Sequence, residues 1–190
     1  MNEEKNPAVS EKELEAIGRF SRRKLTAGEV YTFPVVLCDN DLDRDNECFT
    51  DAALEKLAVL FCGKTVIFDH DPRGEKQTAR IYRCAVEAED GRLNHRGEPY
   101  KALKGWAYMV RTAANAALIL EIEGGIKKEV SVGCAVGKRV CSVCGADRTE
   151  EGCGHLAGKR YGGALCYTLL EDPTDAYEWS FVAVPGQPAA

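Results

Sequence analysis

Apolar and polar residues alternate along much of this chain, and the alternation predicts more strand than helix. Glu29 to Leu37 is rich in apolar and β-branched residues and reads as a strand, and Lys64–Phe68 (KTVIF) reads as a short buried one. Thr78–Glu87 alternates imperfectly through Ala79, Ile81, Cys84 and Val86, the pattern of a bent strand, and Tyr100–Val110 forms another. In Glu129–Val136 the period of two puts Val130, Val132, Cys134 and Val136 on one face. Ser131, Gly133 and Ala135 share the other. The last strand is Tyr177–Val184, closed by Pro185, with Tyr177, Trp179 and Phe181 on an apolar face and Glu178 and Ser180 opposite.

Helical spacing is confined to three short stretches. Ser10 can cap a helix over Glu11–Arg19, and Asp51–Leu60 places Leu54, Leu57, Ala58 and Leu60 on one side. Thr112 can cap a third helix through Glu123, which Gly124 and Gly125 end. Asp39–Asn46 and Asp90–Glu98 are polar loops, and Gly137–Gly163, rich in glycine, cysteine and charge, interrupts the strand pattern. The expected fold is α+β, mainly β, mixed or barrel-like, without a βαβ repeat. Residues 1–28 are a leader, helical or partly disordered; 29–190 are the domain, with a cysteine-rich insert at 137–168.

The 190 residues suffice for one domain with a core, burying roughly 70% of the unfolded surface. A net charge of -5 offers no basic field, which excludes phosphate-backbone binding as the favoured function and leaves no nucleic-acid partner expected. No apolar run reaches the length of about 18 residues that a membrane helix needs, so no membrane association is expected. The polar start, Met1 to Arg23, lacks a secretory signal, and a cytosolic setting follows as an expectation.

Nine cysteines, an odd number, argue against a disulfide framework in that setting. Cys141-Ser-Val-Cys144 followed by Cys153-Gly-His155 is the spacing of a tetrahedral zinc site. Cys141, Cys144 and Cys153 are the expected ligands, with either His155 or Cys166 as the fourth. Four protein ligands leave no open position, so such a zinc would be structural. The Cys-x-x-Cys pair does not read as redox-active, because no thioredoxin-like βαβ unit surrounds it.

Ser131 lies in a strand beside residues with little side chain, where a substrate backbone could come close. A serine hydroxyl needs a neighbouring base. Of three histidines, His95 sits in a polar loop and reads as solvated, and His155 belongs to the cysteine cluster. His70 remains, at a strand end between Asp69 and Asp71. Glu178 is the leading candidate to orient its ring, since a charge inside so apolar a strand needs a partner. Asp69, Asp71 and Asp175 are alternatives. Cys134 projects from the face opposite Ser131, which argues against a cysteine nucleophile, and Val-Ser-Val is not the elbow of an esterase.

The runs DRDNECFTDAALEKLAVLFCGKTVIFDHD, QTARIY, YMVRTAANAALILEIEGGIKKEVSVGCAV and AYEWSFVAVPGQPAA resemble the prohead (capsid maturation) serine proteases of tailed bacteriophages. The likeness extends from about Glu29 to the last residue, and CSVCG…CGH resembles an insert found in some of them. The resemblance implies an assemblin-like β-barrel surrounded by short helices. It implies an endopeptidase that cleaves phage scaffold and major capsid proteins, and itself, inside the assembling procapsid in the host cytoplasm, with homo-oligomers an option. Carried over by motif, His70 is the base, Ser131 the nucleophile and Glu178 the acid. Herpesvirus relatives use a second histidine as third member, which keeps His155 open for that place. The rival expectation is a non-catalytic, zinc-containing scaffold or adaptor module of capsid assembly.

Overall fold

The computed structural model describes residues 9–150 and 152–190; the part of the expected leader at 1–8 lies outside them. The fold is mixed α+β with more strand than helix. One antiparallel sheet joins β1 (Val30–Asp39), β5 (Pro99–Val110) and β4 (Arg80–Leu93) in that order, with β5 central. A two-stranded hairpin, β7 (Arg160–Tyr161) and β8 (Ala164–Leu165), stands apart, and the second large sheet is organised by the long strand β9 (Thr168–Phe181). On one side β9 carries two short parallel strands end to end, β2 (Glu47–Phe49) and β3 (Val66–Phe68). On its other side runs β6 (Val130–Cys141), antiparallel along its whole length.

Between the sheets lies α2 (Asp51–Phe61), capped by the Thr50 hydroxyl, which accepts the Ala53 N–H at 3.2 Å. Its Leu54, Leu57 and Phe61 are fully buried and share one core with Leu37, Ile81, Leu103, Met109, Val130 and Trp179. Burial of such side chains is the main force holding the sheets together. The leader contributes α1 (Glu11–Gly18), where Ser10 and Glu13 form a capping box. Ile17 of α1 is buried against Tyr82, Tyr108 and Val30, and Glu13 Oε1 accepts the Tyr82 hydroxyl at 2.7 Å.

Strand pairing among the described residues closes no barrel, which departs from the barrel expectation. At one seam the sheets are joined by the single bridge Thr65–Arg80, flanked by Val66 N–H to Ala79 C=O at 2.9 Å. At the other, β1 and β6 touch without a hydrogen-bonded ladder. The molecule is a sheet pair with one stitched and one open edge.

Several element bounds differ from those expected. β6 runs on through Gly137 to Cys141 and β9 begins at Thr168, well before Tyr177. Beyond Val136 this pair is a ribbon whose Lys138 and Arg139 are exposed, so no apolar alternation marks it. β2 lies in the stretch between the expected loop and helix, to which the sequence assigned no element, and β4 reaches Leu93 as a solvated hairpin arm. α3 (Ala116–Glu123) starts later than Thr112, whose hydroxyl instead accepts the Asn115 N–H.

Candidate active site and candidate metal centre

β3 brings His70 to β9. It ends at Phe68, and the Asp69 N–H extends the parallel ladder by one bond to the Phe181 carbonyl, 3.1 Å. Asp69 and His70 then both take left-handed backbone angles, φ 53° and 55°. Two such non-glycine residues in succession are strained, and the surrounding contacts must hold them. The turn folds His70 back over β9. There its backbone N–H donates to Ser180 Oγ at 3.1 Å, and its Nδ1 lies 2.7 Å from Glu178 Oε1. The Ser180 hydroxyl donates to the other carboxylate oxygen, Glu178 Oε2, at 2.6 Å. His70 is open to solvent, whereas Ser180 is completely buried.

β6 brings Ser131 to the same face. In the β6–β9 register Ser131 pairs directly with Ser180, and Gly133 pairs with Glu178. Residues so paired lie about 4.5–5.5 Å apart and project to the same side of the sheet. Gly133 leaves room for that carboxylate: a Cβ at this position would stand 2.5 Å from Glu178 Oε1. The carboxylate therefore lies across the glycine. Just beyond this pair the register slips, Cys134 facing Ala176, so Tyr177 is an extra residue on β9. The bulge turns Tyr177 outward, 59% exposed, so it does not join Trp179 and Phe181 on the apolar face where strict alternation had put it. Cys134 packs against the core, on the face away from Ser131.

Ser131 is half-buried, and among the described residues no hydrogen bond joins its Oγ to His70. It borders a cleft of about 240 Å³, which Leu37, Phe49, Val132, Val136 and Gln187 also line. The other carboxylates are engaged elsewhere: Asp71 by Lys76 and Arg73, and Asp175 by Lys64. His95 is not freely solvated. Its Nδ1 meets Asp41 at 2.9 Å, and its ring stands edge-on to Tyr167.

The far end of the β6–β9 ribbon carries the cysteines. Cys141 ends β6, and the chain turns through Ser142–Cys144, closed by the Gly145 N–H on the Cys141 carbonyl at 2.9 Å. Gly145 sits at φ 73°, the left-handed position that favours glycine. This knuckle, with the loop that returns through residues 153–155, brings ligand atoms of Cys141, Cys144, Cys153 and His155 within 4.8 Å of one another. A tetrahedron of zinc bonds has edges of roughly 3.4–3.8 Å, so a small contraction would complete it. The buried His155 Nδ1 has no hydrogen-bond partner, as a nitrogen reserved for a metal would. These four residues could hold a metal ion.

Between the two candidates for fourth ligand, the geometry selects His155. Cys166, fully buried, lies outside the four-atom group, its Sγ 3.9 Å from Cys141 Sγ and 3.3 Å from Arg148 Nη2. Arg148 is the residue that spacing arguments missed. Burial pushes the Cys141 thiol up, but the Arg148 guanidinium and the backbone N–H groups of Cys144 and Val143 outweigh it and hold it below the ordinary range. Those are the contacts that a thiolate ligand requires.

No family model, curated protein or solved structure matches this chain. No described helix is long and apolar enough to cross a membrane. What the chain can do chemically must therefore be read from its own residues. One cluster presents an exposed imidazole backed by a carboxylate beside a strand serine. The other, ten residues along β6 and so roughly 30 Å away, presents three thiols and an imidazole.

Proposed function

We propose that this protein is a serine endopeptidase in which Ser131 is the nucleophile, His70 the general base and Glu178 the acid that orients it. The observation that carries the reading is the 2.7 Å contact of His70 Nδ1 with Glu178 Oε1, on the strand whose next residue but one faces Ser131. A carboxylate can only accept, so Nδ1 carries the hydrogen and Nε2 keeps its lone pair for a hydroxyl proton. Ser131 Oγ would attack a peptide carbonyl as Nε2 takes its proton. The proton then passes to the leaving amine, and water, activated by the same nitrogen, releases the acyl group. Together with the resemblance to prohead proteases, this points to phage scaffold and capsid proteins as substrates, cut within the assembling procapsid. Zinc is the metal we assign to Cys141, Cys144, Cys153 and His155, as a structural ion with no place in the chemistry.

The missing bond between Ser131 and His70 favours one rival, a zinc-containing assembly module without catalysis. The test is capture by a fluorophosphonate. Wild type should be labelled at Ser131, and Ser131→Ala should lose both the label and proteolysis, by roughly four to six orders of magnitude. An unlabelled wild-type protein that still binds capsid or scaffold protein would favour the rival.

A further inference from the structure

Ser180 has no role in the chemistry just described, yet among the described residues its side chain is the one hydrogen-bonded to both Glu178 and His70. It is fully buried inside β9, where a hydroxyl is tolerated only if its hydrogen-bonding capacity is used. Its single hydrogen goes to Glu178 Oε2 at 2.6 Å, and its lone pair takes the His70 backbone N–H at 3.1 Å. The first bond fixes the carboxylate so that Oε1 remains for His70 Nδ1. The second ties down the strained left-handed pair Asp69–His70, which has no glycine to relax it. In the register Ser180 also faces Ser131.

We propose that Ser180 is the positioning residue of this site: it locks the Glu178 carboxylate and the His70 turn into one orientation relative to Ser131, without touching substrate. The role rests on the catalytic reading for its kinetic consequence but on geometry alone for its effect on the imidazole. Without the hydroxyl, Glu178 swings freely about its last torsion, and the His70 N–H is left unpaired above the sheet. The ring then samples both tautomers and several orientations. The nucleophile, the base and the acid would all still be present, but seldom aligned.

The experiment compares full-length wild type with Ser180→Ala, using two readouts. Imidazole nitrogen NMR reports the His70 tautomer: wild type should show one form protonated at Nδ1, with a slowly exchanging Nδ1 proton, and the variant should show mixed tautomers and lose that signal. The rate of fluorophosphonate capture at Ser131, followed against pH, should fall on the order of 10- to 100-fold, the range for second-layer hydrogen-bond partners, and its pH midpoint should move. A merely structural serine would alter neither at temperatures where the fold is intact. If Ser180→Ala fails to fold, Ser180→Cys keeps the volume and weakens both bonds, and the same two readouts apply. Should wild type not be captured at Ser131 while Ser180→Ala still scrambles the His70 tautomer, the catalytic reading falls and the positioning role stands. An unchanged tautomer and an unchanged capture rate would overturn the positioning role and leave the catalytic reading in place.

Discussion

Gly133→Ala should separate catalysis from stability. The added Cβ would stand 2.5 Å from Glu178 Oε1, and nothing else crowds it, since its next neighbours are other atoms of the same side chain at 3.4 and 3.7 Å. To restore ordinary contact the carboxylate must retreat by roughly 1–1.5 Å. Backbone cannot yield inside a paired strand, whereas Glu178 can rotate toward solvent. Its contacts with His70 and Ser180, 2.7 and 2.6 Å, lengthen or break as it does so. A misplacement of that size is worth about 10²-fold in turnover, below the ~10⁴-fold seen when a triad acid is lost outright. In barrier terms this is about 2.7 kcal/mol. Stability should change far less, because alanine is favoured over glycine inside a strand by roughly 0.5–1 kcal/mol, which offsets the lost contacts. The assay is the rate of fluorophosphonate capture at Ser131 and of cleavage of a protein substrate, beside a urea melt of the same preparation. On a Glu178→Ala background the clash has no target, so Gly133→Ala should then cost nothing further. Wild-type turnover for Gly133→Ala, or a full second loss on that background, would refute the placement of Glu178 over Gly133.

Protein purified without added metal should hold close to one zinc per chain by elemental analysis, and Cys144→Ser should lower that ratio; a metal-free wild type with freely reactive Cys141 and Cys153 would refute the site. Chelation should loosen the insert while leaving capture at Ser131 within about tenfold of untreated protein, because the β6–β9 ladder spans the roughly 30 Å between the two ends by itself; loss of capture in step with zinc would show that the ends are coupled. Trp179→Ala should destabilise the fold by roughly 3–5 kcal/mol in urea, since the ring is fully buried between the sheets, and a change below 1 kcal/mol would contradict that packing. Backbone hydrogen bonding from Ser10, opposed by desolvation and aided by the Tyr82 hydroxyl, depresses the Glu13 carboxyl in the fold. Its stabilising contribution is therefore complete above the ordinary glutamate range near pH 4.3 and is lost as pH falls through the lower folded value. Glu13→Gln should flatten that acid limb in melts between about pH 2 and 6, and an unchanged acid limb would show that the cap does not matter.

The sequence by itself determined most of the elements, because short-range physics decides them. Apolar and β-branched content marks β1 and β3, period-two alternation marks the first part of β6, helical spacing marks α2, and Ser10 as a cap marks α1. The cysteine group was legible for the same reason, since a knuckle and its return loop are nearly local in the chain. Where the chain left the core, the signal failed: the outer half of β6 and the start of β9 are solvated on a ribbon and need no apolar pattern. The choice of His155 over Cys166 was decided by the return of the loop, which no spacing rule contains. Likewise alternation put Glu178 and Ser180 on one face, but only pairing could show what they meet. The register of β6 on β9 sets Ser131 against Ser180 and Gly133 beneath Glu178, and β3, laid parallel alongside, ends in the turn that delivers His70. Those are contacts between residues about 110 positions apart in His70 and Ser180. Register and bulge placement follow from the packing of whole faces, the Tyr177 bulge included, and a one-residue slip would turn each of these side chains to the opposite face.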